Sequence, residues 1–289
     1  MPEADRREHF GDRLPLARLG PVPAPDDRLL DRLPPIAREI RHPYVNAGFA
    51  GAVTAAALSE AGASVLVLEE GDWVEPGECQ PFSARQMERQ YRGGGLTAAL
   101  GRPSVAYAEG RCAGGGSEIN SGLYHRPSEA LLRHWSQDWS IESLDPADLA
   151  PWSDVVETDL AVGPMPIEIP QDSVALDTGA RALGWSSLEI PRWLSATGDG
   201  SHMKRHSMTQ TYLPRAKARG AEIWTGCRVH RIDGHNGRAH EVVVKRVNGS
   251  HGERIRASTV VVAAGAIQTP ALLQRSGVHH NVGSTLSVH

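Results

Sequence analysis

The spacing of apolar positions changes several times along this chain, and each change marks an element. Small apolar residues fill positions 50–61 with helical character, and Val65, Leu66, Val67 and Leu68 follow as an unbroken apolar run of strand length. Residues 82–91 read as a short amphipathic helix, broken by Gly93-Gly94-Gly95, a run that suits a flexible loop. Asp145-Pro146 opens a helix over 149–160, and 171–183 reads as another, stopped by Gly184. From Ser207 the pattern gives a helix, a stop at Gly220, and strands at 221–225 and 228–232. Residues 241–247 and 253–256 pair as an antiparallel hairpin through Asn248-Gly249. Residues 259–263 form an apolar strand of the kind buried in a parallel sheet, and Thr269-Pro270 starts a helix through Leu273.

Composition narrows this picture. The chain has 289 residues and a net charge of −4, so it can bury a sizeable core and carries no basic field for nucleic acid. No apolar run reaches membrane-spanning length, and the charged start MPEADRREHF has no signal-peptide core. Cys79, Cys112 and Cys227 lie far apart, which suits a reducing cytoplasm without a disulfide framework. Eight of the twenty prolines fall in residues 1–43, so residues 1–42 read as a Pro/Arg-rich leader. Five of the seven tryptophans fall in residues 128–204, where isolated tryptophans are expected in the core.

The chemistry concentrates in two glycine stretches. In the first, Ala47-Gly48-Phe49-Ala50-Gly51 opens the small-residue helix, and Glu69 with Glu70 closes the strand that follows. Strand, glycine turn, helix, strand and acid is the order of a dinucleotide-binding βαβ unit. Its glycines let backbone approach a pyrophosphate, its helix N-terminus offers amides to the negative charge, and its acid accepts from a ribose diol. Asn46 stands where the first glycine belongs, and Arg41, His42 and Pro43 replace the apolar residues of the preceding strand. Proline cannot donate to a central ladder. The plainer alternative is a small-residue helix packed closely on a sheet. The second stretch, residues 110–127, sets Gly114, Gly115, Ser117, Asn120, Ser121 and Gly122 together, backbone and small polar groups suited to a planar ring and phosphates. His202 and His206 are spaced to share one helix face, but Met203 stands where a zinc protease has glutamate, so no metal site is expected; His279-His280 reads as a solvated pair.

Residues 114–120 resemble the G-G-x-S-x-x-N flavin loop of the glucose–methanol–choline (GMC) oxidoreductases, and 65–71 resemble that family's acid-ended strand. Residues 265–277 resemble its G-A-x-x-T-P-x-L-L-x-x-S-G signature throughout, and the resemblance spans residues 45–289 in motif order. It implies an α/β fold, a Rossmann-like FAD-binding domain with a partial substrate-binding domain inserted. The expected division is 43–134 and 206–289 for the FAD-binding domain and 135–205 for the inserted region. It implies FAD contacts at Ala47, Gly48, Phe49, Ala50, Gly51, Glu69, Glu70, Gly114, Gly115, Ser117, Asn120, Ser121, Gly122, Val229, Ala263, Ala264 and Gly265, with Val229 of Cys227-Arg228-Val229 holding the adenine. The FAD is expected to be non-covalent, because Ile119 stands where some relatives carry a tethering histidine. The implied reaction takes a small-molecule alcohol to a carbonyl compound, with hydride passing to flavin N5 and on to an unknown electron acceptor. The family's catalytic histidine comes from a segment far beyond the Ser-Gly motif, so the chain reads as truncated before it and no residue here is nominated. His289 matches a different motif, V-G-x-x-L-x-x-H. Two other readings stand beside this one: a non-catalytic nucleotide-binding remnant, to which Asn46 and Pro43 point, and an NAD-dependent dehydrogenase, which Glu69 would also suit.

Overall fold

The computed structural model describes residues 39–40, 42–45, 47–139, 141, 144–198, 203–247, 249 and 252–286. Most of the expected leader, Asn46, His202, Asn248 and His289 lie outside these residues. The chain enters on two strands, β1 (Glu39–Ile40) and β2 (His42–Val45), so residues 39, 40 and 42, expected in the leader, belong to the sheets. Helix α1 (Phe49–Glu60) and strand β3 (Val65–Leu68) complete the βαβ unit. Next come α2 (Ala84–Gln90), the hairpin β4 (Thr97–Ala99) and β5 (Val105–Tyr107), and the single turn α3 (Gly116–Ile119). The inserted region holds α4 (Glu129–Trp139), α5 (Pro146–Asp159), α6 (Gln171–Ala182) and the hairpin of β6 (Leu194–Ala196) with β7 (Met203–Arg205). The chain then returns through α7 (Tyr212–Ala218), β8 (Glu222–Trp224), β9 (Cys227–His235), β10 (Arg238–Arg246), β11 (Gly252–Ala257), β12 (Val261–Val262) and α8 (Gly265–Arg275).

These strands make two four-stranded sheets. One is parallel, in the order β12-β2-β3-β8. The other is the antiparallel meander β9-β10-β11, with β1 running parallel beside β11. Strand β3 shows why they stack. Successive side chains of a strand point to opposite faces, and all four residues of β3 are buried. Val65 and Val67 pack with Ala52, Ala55 and Ala56 of α1 and Leu213 and Ala216 of α7. Leu66 and Leu68 face the other way, onto Val229, Val242 and Val244 of the meander and Leu272 of α8. The small residues of α1 let its backbone lie close to the sheet. On its outer side Arg215 of α7 reaches both Glu60 at the end of α1 and Asp159 at the end of α5, at 3.0 and 2.5 Å.

Several sequence expectations are corrected. Pro43 does sit in the parallel sheet, opposite Leu66, but the ladder to β12 begins only at Tyr44, beyond the residue that lacks an N–H. Helix α8 starts at Gly265 rather than at Thr269, which leaves Pro270 inside it. The carbonyl that loses its partner belongs to Ala266, in the exposed first turn, where water can replace the bond. The three glycines follow Arg92 in a kinked single turn, Arg92–Gly95, with left-handed φ of +57°, +63° and +82°. Residues 203–205 of HMKRH form strand β7, not a helix, so the spacing of His202 and His206 does not define a helix face. Of the tryptophans expected in the core, Trp193 is buried, whereas Trp152 and Trp185 are 71% and 68% exposed. Among the described residues no helix is long and apolar enough to cross a membrane.

Candidate functional site

The parallel strands β2, β3 and β12 deliver three loops to one edge of their sheet, and the expected binding residues fall on these loops. Ala47 and Gly48 follow β2, Glu69 and Glu70 follow β3, and Ala263, Ala264 and Gly265 follow β12. The carboxyl edge of an open parallel sheet is where such folds bind ligands. Helices α1 and α8 both begin there, with no side-chain cap and no acidic residue in their first turns. Their leading amides have no partner within the helix and carry the positive end of its dipole.

The second glycine stretch is stitched onto this edge. Gly114 N–H donates to the Ala47 carbonyl at 3.0 Å, and Ala113 N–H to the Asp72 carbonyl at 2.8 Å. A Cβ on Gly115 would stand 3.0 Å from the Gly48 Cα, and one on Gly116 would stand 3.5 Å from the Phe49 ring. Gly114 and Gly115 both take left-handed φ, +85° and +55°. Thus Ala47, Gly48, Phe49, Gly114, Gly115 and Ser117, expected separately, form one cluster. The Ser117 hydroxyl is buried, donates to the Gly114 carbonyl at 2.7 Å and accepts from the Met208 N–H at 3.0 Å. Ser121 is exposed, and its carbonyl accepts from Arg192 at 3.3 Å.

Glu69 ties the first loop to the strand end. It is 1% exposed, and its two oxygens accept from Ala47 N–H at 3.0 Å and Gly71 N–H at 2.8 Å. Burial outweighs these two bonds and pushes its carboxyl up to about 7. The carboxylate expected at a ribose is therefore engaged by backbone on both oxygens, and Glu70 is the acid that lines the adjacent cleft. Burial opposes the charge of Glu70 too, but Arg92, at 3.0 Å, with Arg228 and Arg111 holds its carboxyl below the usual range. The cleft is walled by Leu68, Val229, Ala264 and Leu272 and rimmed by Arg228, Gln268 and Arg275. Val229 and Ala264, expected separately as cofactor contacts, thus line one cleft.

The sequence reading missed Arg92, Arg111 and Arg205. Arg92 bridges Glu70 and Glu109. Arg205 donates to Asn120 Oδ1 at 2.8 Å across 85 residues, a separation that no local pattern signals. Thr209 donates to the half-buried Glu118 carboxylate through both its N–H and its hydroxyl, at 3.3 and 2.9 Å. His206, weighed only as a metal ligand, meets Ser195 Oγ at 2.9 Å.

Comparison with known proteins places this geometry. The sequence model of the GMC oxidoreductase family matches residues 87–289. An uncharacterised GMC-type oxidoreductase of Sinorhizobium fredii is 38% identical over 258 residues, which cover 85% of this chain and 50% of that one. A long-chain-alcohol oxidase of Arabidopsis thaliana is 28% identical, covering 85% of this chain and 35% of its own length. An FAD-dependent oxidoreductase from Chaetomium thermophilum shares the fold, with a TM-score of 0.66 and 19% identity over 83% of this chain and 48% of that chain. The chain spans about half or less of the length of these relatives.

Proposed function

Because this chain belongs to the GMC oxidoreductase family, we propose that it carries the FAD-binding part of an enzyme that oxidises an alcohol to a carbonyl compound. One observation carries the reading: two glycine stretches meet backbone to backbone at the carboxyl edge of a parallel sheet, beside a cleft walled by Val229 and Ala264. The residues fit an extended dinucleotide. The uncapped first turn of α1 suits a pyrophosphate, the cleft suits an adenine, and the glycine loop ending at Asn120 suits a flat ring. Bound FAD would supply the hydride acceptor. In this reading Gly48 and Gly115 admit the cofactor closely, Glu69 fixes the turn from within, and Glu70 is the acid that faces the cleft. We assign the proton-accepting base to no described residue. The flavin is held without a covalent bond, since Ile119 offers no nucleophile. The three cysteines are unpaired, which supports a reducing compartment such as the cytoplasm.

A second reading, a chain that binds FAD without turnover, is favoured by Pro43, which stands in the strand before the glycine turn, opposite Leu66. Flavin fluorescence titration, with NAD as competitor, tests both. Saturable quenching by the chain, unaffected by NAD, is expected, and absence of quenching would overturn the FAD reading. Alcohol-dependent reduction of an artificial dye by the loaded chain separates the enzyme from the silent binder.

A further inference from the structure

The flavin loop ends in a carboxamide whose direction is fixed from outside the loop. Asn120 Oδ1 accepts from Gly122 N–H at 3.0 Å and from Arg205 Nη1 at 2.8 Å. Both partners are donors, so the atom between them must be the amide oxygen, because an NH₂ group cannot accept. The Asn120 NH₂ is thereby turned away from Arg205 and Gly122 as a donor, and it has no acceptor among the described residues.

Arg205 is held for this task. It lies half-buried at the end of β7, and its second contact is the Ser117 carbonyl at 3.5 Å. Burial is the main influence on its charge, and Glu118 and Tyr91 are the groups that oppose that effect from a distance. No carboxylate lies within 4.0 Å of its guanidinium among the described residues. The next residues grip the same loop: Met208 N–H on Ser117 Oγ, and Thr209 on Glu118. A guanidinium with no carboxylate within 4.0 Å among the described residues, bonded instead to a neutral amide, is explained if the amide must stay neutral and correctly turned.

We propose that Arg205 is a positioning residue that locks the Asn120 carboxamide so that its NH₂ donates to an acceptor atom on the flavin ring. This rests on the FAD reading above. It makes the β6–β7 hairpin of the inserted region part of the cofactor site, although it contributes no cofactor contact of its own.

The test separates geometry from donation. Asn120→Asp keeps acceptors for Arg205 and Gly122 but replaces the donor by a carboxylate oxygen. It should leave the thermal midpoint of the flavin-free chain unchanged or higher, because Arg205 gains an ion pair. FAD affinity should nevertheless fall roughly tenfold or more. Arg205→Met should also weaken FAD binding and shift the visible absorption bands of the bound flavin, and Arg205→Lys should recover part of both effects. If the unaltered chain binds FAD and Asn120→Asp binds it equally well, the donor role is overturned while the FAD reading stands. Loss of affinity in step with loss of thermal midpoint in both variants would show a merely structural contact and would equally overturn the lock. Failure of the unaltered chain to bind FAD overturns the reading and this inference with it.

Discussion

Replacing Glu69 by glutamine should change the pH dependence of stability in a direction that the structure fixes. The carboxyl is buried, and burial raises it from the ordinary carboxylate value of 4.5 to about 7. In the unfolded chain it ionises near 4.5, so between these values the unfolded state has released a proton that the folded state keeps. The contribution of Glu69 to stability is therefore full below pH 4.5 and is lost as pH rises through about 7. At roughly 1.4 kcal/mol per pH unit the whole loss is about 3 kcal/mol. Glu69→Gln abolishes this titration but leaves one buried N–H, of Ala47 or Gly71, facing an NH₂ group, at a fixed cost of about 1–3 kcal/mol. The variant should thus be less stable than the parent at pH 5, and the gap should close by about 2.5 kcal/mol towards pH 8. Urea denaturation of both flavin-free chains across this range measures it. Parallel stability curves would show that Glu69 ionises in the folded chain as it does in water, and the reasoning would fail.

Three further outcomes follow from the structure. Gly110→Ala, whose Cβ would meet the Gly115 carbonyl carbon at 2.5 Å, should destabilise the chain severely and abolish flavin retention on a gel-filtration column; Gly62→Ala, at φ +82° with open space around it, should cost only about 1–2 kcal/mol by the same denaturation assay. Acid precipitation of the FAD-loaded chain should leave all flavin in the supernatant, and yellow colour in the washed pellet would refute non-covalent attachment.

Much of the parallel sheet was legible because its signals are local. Four consecutive apolar residues at 65–68 can be satisfied only by burial on both faces, and β3 is buried on both. The hairpin around Asn248-Gly249 was legible for the same reason, although β10 begins three residues earlier than expected, at Arg238. Proline misled at the start of α8. Its rule concerns one missing N–H, and in α8 that loss falls on an exposed first-turn carbonyl, where it is cheap, so the helix runs straight through Pro270. Likewise Pro151 lies inside α5, opposite the exposed Ala147 carbonyl. The glycine loops could be named from the chain, but not their contact, because Gly48 meets Gly115 only after the sheet has brought them together. The cationic partners Arg92 and Arg205 were invisible for that reason: an arginine's spacing from its own neighbours carries nothing about a carboxamide 85 residues away.

The central position of β2 sets an order of events during synthesis. Its neighbour β3 follows almost at once, so one side of β2 pairs early, under the cover of α1. Its other neighbour, β12, lies near the far end of the chain, beyond the whole inserted region and the meander. Until Val261 and Val262 leave the ribosome, β2 has a bare flank on the side that β12 will cover. Bare flanks are where chains join to the wrong neighbour. Translation that stalls between β8 and β12 therefore yields not a smaller domain but a sticky one, and prompt delivery of two valines closes it.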